Sequence, residues 1–431
     1  MKEKTFLKTL LMREVIPATG CTEAGAVTLA TAWAVRALSS RAGTIKKISV
    51  EVDENTYKNG LGVGIPGTEE TGLDFAAAMG ALSPGKAEKG LQILENPDRD
   101  SIGEAKKLIA EGRVCILRVP EIRDIFVKAN VHKGSDEAAA MIQGSHDHLV
   151  GVEINGEPFK EAPVSEEDFW KSVKEIRDLE YGLFVEFVKD LDVGELPILK
   201  EAMEMNMLFA NEARKRAPSL RIGLVMEKLG GEGENRRELS EKAQFITALA
   251  VEARMKGLDL PVMACAGSGN QGLVATIPIV EIARRMGSSE DHLLRALALS
   301  YLTTIYIKTY TGLLSPICGC GVAAAVGAGC GIVFLMGGDT SQIEIQINNM
   351  IGAMAGIICD GAKSGCSLKA LMAVGLAIDS SYLSMENVQI PAKDGILGKD
   401  VKDTLRNLHE IIEEGMASMD ATIVKVMETK R

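Results

Sequence analysis

The sequence predicts an α+β protein: a predominantly helical body, residues 1–44 and 165–431, with a small antiparallel α+β domain inserted at 45–164. Three observations predict it. Apolar residues recur at the three-and-four spacing of a buried helix face in the first forty residues and again from Ser165 almost to Arg431. Between those stretches the pattern changes to the period of two that marks half-buried strands, punctuated by turn residues. The 431 residues contain 44 glycines and 19 methionines but only 4% aromatics, a composition that favours closely approaching helices over a β-sandwich.

The elements follow in order. Phe6, Leu7, Leu10, Leu11 and Val15 form one apolar stripe of a first helix, which Pro17 and Gly20 stop. Thr22 reads as the N-cap of a second, alanine-rich helix, AGAVTLATAWAVRAL, with Glu23 near its positive end and Cys21 at its N-terminus. KKISVEVDENTY alternates as a strand, KNGLGVGIPGTEETG is a glycine-rich loop, and AAAMGALSPGKAEKGLQIL is helical. VCILRV, DIFVKANVHKG, EAAAMIQGS and HLVGVEINGE complete an antiparallel sheet that ends near Pro163. From EEDFWKSVKEIRDLEYGLFVEFVKDL onward the chain is helical, broken by glycine clusters, with no repeat of fixed period.

Charge and cysteine content narrow the class of function. Lys+Arg 48 against Asp+Glu 59 gives −11, and no basic block stands out, so neither nucleic acid nor an anionic membrane is an expected partner. Thr309–Gly338 lacks charge over a length that could span a bilayer, yet it holds eight glycines and three cysteines; it is expected as a buried helix pair. Eight cysteines are too few for a disulfide scaffold, and the N-terminus has no signal-peptide core, so the expected compartment is the reducing cytoplasm.

Five of those cysteines cluster late: Cys318, Cys320 and Cys330 in SPICGCGVAAAVGAGCG, and Cys359 and Cys366 in CDGAKSGC. Cys115, Cys265 and Cys330 read as small buried hydrophobes. A structural zinc site would need CxxC pairs, which are absent, and His146 and His148 of SHDH read as a solvated turn. CDGAKSGC sets two thiols seven residues apart on a glycine-bearing turn and CGC adds a third, a spacing that suits an iron–sulfur cluster or buried structural thiols. A thiol at a helix N-terminus, like Cys21, is expected to have a lowered pKa and to serve as a base or nucleophile; the alternative is that GCT is simply a tight helix–helix corner. The turn AGSGNQG offers backbone N–H groups with Ser268 and Asn270 as a carboxylate nest, and lacks the context of a dinucleotide fingerprint. KNGLGVGIPGT lacks the GK[ST] ending of a phosphate loop; its Lys58 and Asn59 suit either substrate contact or a solvated hairpin turn.

PATGCTEAG, KNGLGVGIPGT, SGNQG, CGCGVAAAVGAG and CDGAKSGC, in this order from residue 17 to 366, resemble the L-cysteine desulfidase family, which is related to the α-subunit of the iron–sulfur L-serine dehydratases. The resemblance implies cleavage of L-cysteine to pyruvate, ammonia and hydrogen sulfide on an oxygen-sensitive [4Fe–4S] cluster, without pyridoxal phosphate. It implies Cys21 as proton acceptor, Cys359 and Cys366 as cluster ligands, and Cys318 or Cys320 as the third. Ala24 stands where the family commonly has proline. Ser268, Asn270 and Lys363 are the candidate substrate binders. L-Serine dehydration at the same site is the nearest alternative; a non-catalytic small-molecule binding protein or a redox sensor with reactive thiols is the alternative of another class. The expected partner is a small amino acid, and the Gly/Ala-rich helices suit a homo-oligomer as well as a single chain.

Overall fold

The computed structural model describes residues 2–159, 163, 172–216, 222, 224–226, 236–392 and 394–430. It is mostly helical with a small mixed sheet, as the periodicities predict. The expected helix start at 165–170 and the expected boundary at 164/165 lie outside the described residues.

Helix α1 (Lys2–Glu14) buries Leu7, Leu10 and Leu11, each contributing about 1.5–3 kcal/mol through the apolar area it removes from water. The chain then continues into a short strand, β1 (Val15–Thr19), which the proline in VIPAT hides from sequence reading. It pairs antiparallel with β8 (Pro261–Cys265), Val15 opposite Cys265 and Thr19 opposite Pro261. Helix α2 (Thr22–Ala37) starts one residue earlier than its sequence signal, because Cys21 and not Thr22 holds the extended N-cap position. Every residue of α2 except Arg36 is buried, since the helix is sandwiched between the sheet and the helix α4 described below.

The sheet has the order β3-β2-β4-β5-β6-β7, with β2 (Ile45–Asp53), β3 (Val114–Val119), β4 (Phe126–Lys133), β5 (Asp136–Gln143), β6 (Leu149–Ile154) and β7 (Glu157–Pro158). All the sequence-predicted strands are present, but the sheet is mixed, not wholly antiparallel: β3 lies parallel to β2. The reason is the long crossover between them. It carries α3 (Glu54–Gly60), α4 (Leu73–Ala81) and α5 (Arg99–Ala110), enough chain to return to the same end of the sheet. Helix α3 also corrects the reading of Lys58 and Asn59 as loop residues. Asp53 caps it by accepting from the N–H groups of Asn55 and Thr56, both at 2.9 Å, and turns the end of β2 into a helix.

The helical body comprises α6 (Gly182–Asp190), α7 (Ile198–Arg216), α8 (Arg236–Met255), α9 (Gly269–Met286), α10 (Glu290–Thr311), α11 (Ala325–Leu335), α12 (Thr340–Met354), α13 (Cys366–Met385), α14 (Val401–Glu410) and α15 (Met419–Glu428). The uncharged run Thr309–Gly338 covers the end of α10 and all of α11, and α11 is wholly buried. Among the described residues one helix, Cys366–Met385, is long and apolar enough to cross a membrane; here it packs on α8, α11 and α12. A cysteine core is present as expected, with Cys265 and Cys330 fully buried, whereas Cys115 on β3 is only half-buried.

Glycines set the spacing of α10 and α11. A Cβ on Gly327 would lie 2.4 Å from the Ser300 carbonyl oxygen, a backbone atom that cannot move aside. Gly327→Ala should therefore destabilise the protein by about 1–3 kcal/mol in urea unfolding. Gly103, exposed inside α5 with open space around it, should behave oppositely: Ala there should add about 0.5–1 kcal/mol.

Candidate active site

A cavity of about 80 Å³ opens where the N-termini of α2 and α9 meet the turns before the late cysteines. Its floor is anchored by β1 and β8, whose pairing brings the Gly20–Cys21 corner beside the Ala266–Ser268 turn. Thr22 closes the join by donating to the Gly267 carbonyl at 2.9 Å. Both Ala266 and Gly267 are left-handed, φ +46° and +73°, and for alanine that conformation costs about 1–2 kcal/mol. Strain of this kind persists where the surrounding structure holds it.

Cys318, Cys320, Cys359 and Cys366 all line this cavity. Their turns are stitched by an isolated antiparallel bridge, Ile317 opposite Ile358. The Cys318 N–H donates to Ile357 at 2.8 Å and the Cys359 N–H to Pro316 at 2.7 Å. Because side chains alternate along paired strands, Cys318 and Cys359 project from the same face of that bridge. Cys366 sits at the start of α13, and Cys320 opens a π-turn, Cys320–Ala324, leading into α11. The Cys318 and Cys320 sulfurs are 3.3 Å apart; the bond from Cys320 draws Cys318 down to about 6, and Cys320 is pushed up correspondingly. Burial pushes Cys366 up to about 11. Among the described residues no three His, Cys, Asp or Glu side chains converge as ligands of a single metal ion. The four thiols instead line one cavity.

Two buried cations offset these sulfurs. Lys308 of α10 is 1% exposed; burial lowers it to about 8 while Cys359, Cys318 and Cys320 pull it back up. Arg254, at the end of α8, donates to the Gly20 carbonyl at 2.5 Å and to Asn270 Oδ1 at 3.1 Å, and its buried Nε has no partner among the described residues. Arg254 and the first residues of α9, Asn270 and Gln271, line the same cavity, an arrangement that suits a carboxylate.

On the opposite wall Cys21 donates to Glu23 Oε2 at 2.7 Å. Its thiol is pushed well above its ordinary range, by burial first and then by the Glu23 charge, with Arg254 opposing. This corrects the expectation of a thiol acidified by its helix dipole: half a positive charge at a helix end does not outweigh loss of water and an adjacent carboxylate. Burial alone would raise Glu23, but His146 across from it and hydrogen bonds from Cys21 and Asn59 hold it below the usual range. Asn59 Nδ2 donates to Glu23 Oε1 at 2.7 Å.

The candidate residues separate accordingly. Cys21, Ser268, Asn270 and the four late cysteines share the cavity. Lys363 does not line it; its ammonium pairs with Asp360 and is 40% exposed. Asp360 also receives Lys369 at 2.5 Å, so the two lysines brace the turn between Cys359 and Cys366. His146, read as part of a solvated turn, is in fact 2% exposed and lies against Gly267. Asn59, read from the sequence as either a substrate contact or part of a hairpin turn, lines the cavity, whereas Glu23, Arg254 and Lys308 were missed as site residues. Their one visible signal was a charge in an otherwise apolar helical stretch, strongest at Lys308 in SYLTTIYIKTYTGLL.

Known proteins match along this whole framework. Residues 88–425 match the family described as the serine dehydratase alpha chain. A UPF0597 protein of Desulfatibacillum aliphaticivorans is 36% identical over 433 residues, covering 99% of this chain and 98% of its own. One from Caldanaerobacter subterraneus subsp. tengcongensis is 37% identical over 432 residues, covering 100% of both, and one from Alkaliphilus oremlandii is 38% identical over 428 residues, covering 99% of each. The chain belongs to the UPF0597 family and carries a serine dehydratase alpha chain domain.

Arg254→Met should cost about 3–5 kcal/mol in urea unfolding, because it removes the cation from among buried anions and leaves Asn270 and the Gly20 carbonyl without their donor. Arg254→Lys should recover only part of this, since an ammonium cannot span both acceptors in the guanidinium's plane.

Proposed function

We propose that this UPF0597 protein is a lyase that eliminates the β-substituent of a small L-α-amino acid, converting L-cysteine to pyruvate, ammonia and hydrogen sulfide with a [4Fe–4S] cluster and no pyridoxal phosphate. The observation that carries the reading is the meeting, in one cavity, of late thiols on joined turns with a Cys21–Glu23 acid–base pair on the facing wall. The donor set suits the cluster: four thiols line the cavity, Lys308 offsets their charge, and the Glu23 carboxylate that shares the lining is engaged by Cys21 and Asn59. Cys318, Cys359 and Cys366 would hold it. Cys318 is preferred over Cys320 because the Ile317–Ile358 bridge turns it to the same side as Cys359.

When bound, such a cluster with one iron free of protein sulfur supplies Lewis-acid activation of the β-substituent. The chain's own residues do the rest. Arg254 Nε and the N-terminus of α9, with Ser268 and Asn270, take the substrate carboxylate and fix the Cα–H bond. Cys21, hydrogen-bonded to Glu23, is the group that takes the α-proton, acting in its thiolate form. Asn59 holds Glu23 in place. Enclosure of the cavity keeps the aminoacrylate product away from competing reactions until it leaves, tautomerises and hydrolyses.

L-Serine is the second substrate reading, and the family's description favours it. It differs only in the leaving group, hydroxide in place of hydrosulfide. The cytoplasm is the proposed location, since such a cluster needs a reducing compartment, and a homo-oligomer fits the Gly/Ala-rich helices.

Anaerobic reconstitution with iron and sulfide, followed by parallel pyruvate assays with L-cysteine and L-serine, tests the proposal. Cys359→Ser, Cys366→Ser and Cys318→Ser should each abolish the brown chromophore, while Cys320→Ser should keep it. Cys21→Ser should keep iron and acid-labile sulfide yet lose at least about 100-fold in kcat, the usual scale of a general base. Wild-type protein that takes up no iron and turns over neither amino acid would point instead to a binding protein.

A further inference from the structure

We propose that Cys318 and Cys320 close a reversible disulfide in the cluster-free protein, which takes Cys318 out of the ligand set until a reductant opens it. The inference rests on the reading of Cys318 as a cluster ligand above, and it gives a role to Cys320, the thiol of the pair that such a cluster leaves free.

The backbone brings the two sulfurs together. The separation of the Cys318 and Cys320 Cα atoms is set by the dihedrals of the residue between them, and Gly319 is helical, φ −61° and ψ −40°. Helical geometry puts residues i and i+2 about 5.4 Å apart, inside the range of about 4.4–6.8 Å that a disulfide spans. The sulfurs already touch at 3.3 Å and have only to approach to about 2.05 Å, a change that side-chain rotation supplies. The turn holds them there. The Cys318 N–H donates to Ile357 and its carbonyl accepts from Val322, both at 2.8 Å, and the Cys320 carbonyl accepts from Ala325. Gly319 is wedged as well, since a Cβ on it would stand 3.1 Å from the Gln271 amide and 3.3 Å from Lys308 Nζ. Among the described residues no other two cysteine sulfurs are in contact: Cys359 Sγ meets Asn59 Oδ1 at 3.9 Å and Cys366 Sγ the Gly361 carbonyl at 3.6 Å.

Both thiols are buried, 4% and 7% exposed, and line the cavity, so the oxidant has to be small. Hydrogen peroxide meets that condition. The Cys318 sulfur attacks one peroxide oxygen, the O–O bond breaks, and the departing hydroxide takes the thiol proton as water, leaving Cys318 as a sulfenic acid. The Cys320 sulfur then attacks that of Cys318; the S–O bond breaks, the S–S bond forms, and the hydroxyl leaves with the Cys320 proton as a second water. Two thiols have lost two electrons and one peroxide has gained them. A dithiol reverses the result by exchange and is itself oxidised to a disulfide. Without Cys320 beside it, the sulfenic acid goes on to a sulfinic acid, which thiols do not reduce.

The test uses full-length protein freed of iron with a chelator and fully reduced under argon. It is treated with hydrogen peroxide, alkylated, digested and analysed by mass spectrometry of the peptide that carries the CGC turn. Parallel samples receive stoichiometric iron and sulfide with or without prior dithiothreitol. Wild type should lose two hydrogens across Cys318 and Cys320, with no bond to Cys359 or Cys366. It should then take up no iron, and should gain the brown chromophore after dithiothreitol. Cys320→Ser should take up iron while reduced, but after peroxide should carry sulfinic acid at Cys318 and stay colourless despite dithiothreitol. The wild-type arm decides the question even if the variant folds poorly. Absence of the Cys318–Cys320 bond, a bond between other cysteines in its place, cluster assembly on the oxidised protein without reductant, or a Cys320→Ser that dithiothreitol rescues as fully as wild type overturns the proposal. Pyruvate assays separate this from the reaction itself: a bond that closes and reopens in protein whose reconstituted form makes no pyruvate leaves the switch standing and removes the lyase reading, and pyruvate from protein whose CGC turn never closes does the reverse.

Discussion

The arrangement depends on a guanidinium placed where water cannot reach it. Arg254 is 3% exposed, and a charge so situated costs several kcal/mol unless anions and acceptors surround it. It meets that demand with the Gly20 carbonyl and Asn270, and with the fields of Cys21, Glu23, Cys366 and Cys320. In satisfying one cation the fold therefore ties the Gly20–Cys21 corner at the head of α2 to the head of α9, within the electrostatic reach of Cys366 and Cys320. The acid–base wall and the sulfur wall are parts of a single electrostatic unit, with Lys308 as a second pole beside Cys318 and Cys359.

Small residues make that unit compact. A Cβ on Gly272 would stand 1.8 Å from the Met263 carbonyl, so the first turn of α9 can lie against β8 only as glycine. Gly361, φ +91°, lets the turn between Cys359 and Cys366 sit on the Lys58 carbonyl, where a Cβ would come within 2.7 Å. Lys58 in turn reaches Asp420 of α15 at 2.6 Å, so the turn between Cys359 and Cys366, helix α3 and α15 are tied together. The low aromatic and high glycine content noted in the sequence is thus a consequence of backbone packed around a buried polar cavity.

Much of this was legible and the limits are instructive. Helical periodicity and strand alternation located the two textures because each is set by local burial. Strand direction was not local: β3 lies parallel to β2 because of a crossover in which α3 was read as strand end and loop and α5 was not read at all. Cys21 was visible from its place at a helix head, but its protonation was not, since the Glu23 contact that holds the thiol is organised by Asn59 from a separate helix. His146 looked solvated in SHDH, a polar tetrapeptide, and is buried only because the hairpin tip meets Gly267 from across the chain. Lys363 was chosen for its place in the ligand turn, yet Asp360 three residues away takes its charge outward, while Arg254 and Lys308 face inward from distant helices.

The central claim is that the thiol wall holds a cluster with one iron reserved for substrate. Mössbauer spectroscopy of the anaerobically reconstituted protein, enriched in iron-57, tests it most directly, with and without added L-cysteine or L-serine. The account predicts one iron in four distinguished from the rest, with an isomer shift that moves when substrate is added, as expected for a three-thiolate cubane. Four equivalent irons indifferent to either amino acid, or no cluster at all, would contradict it.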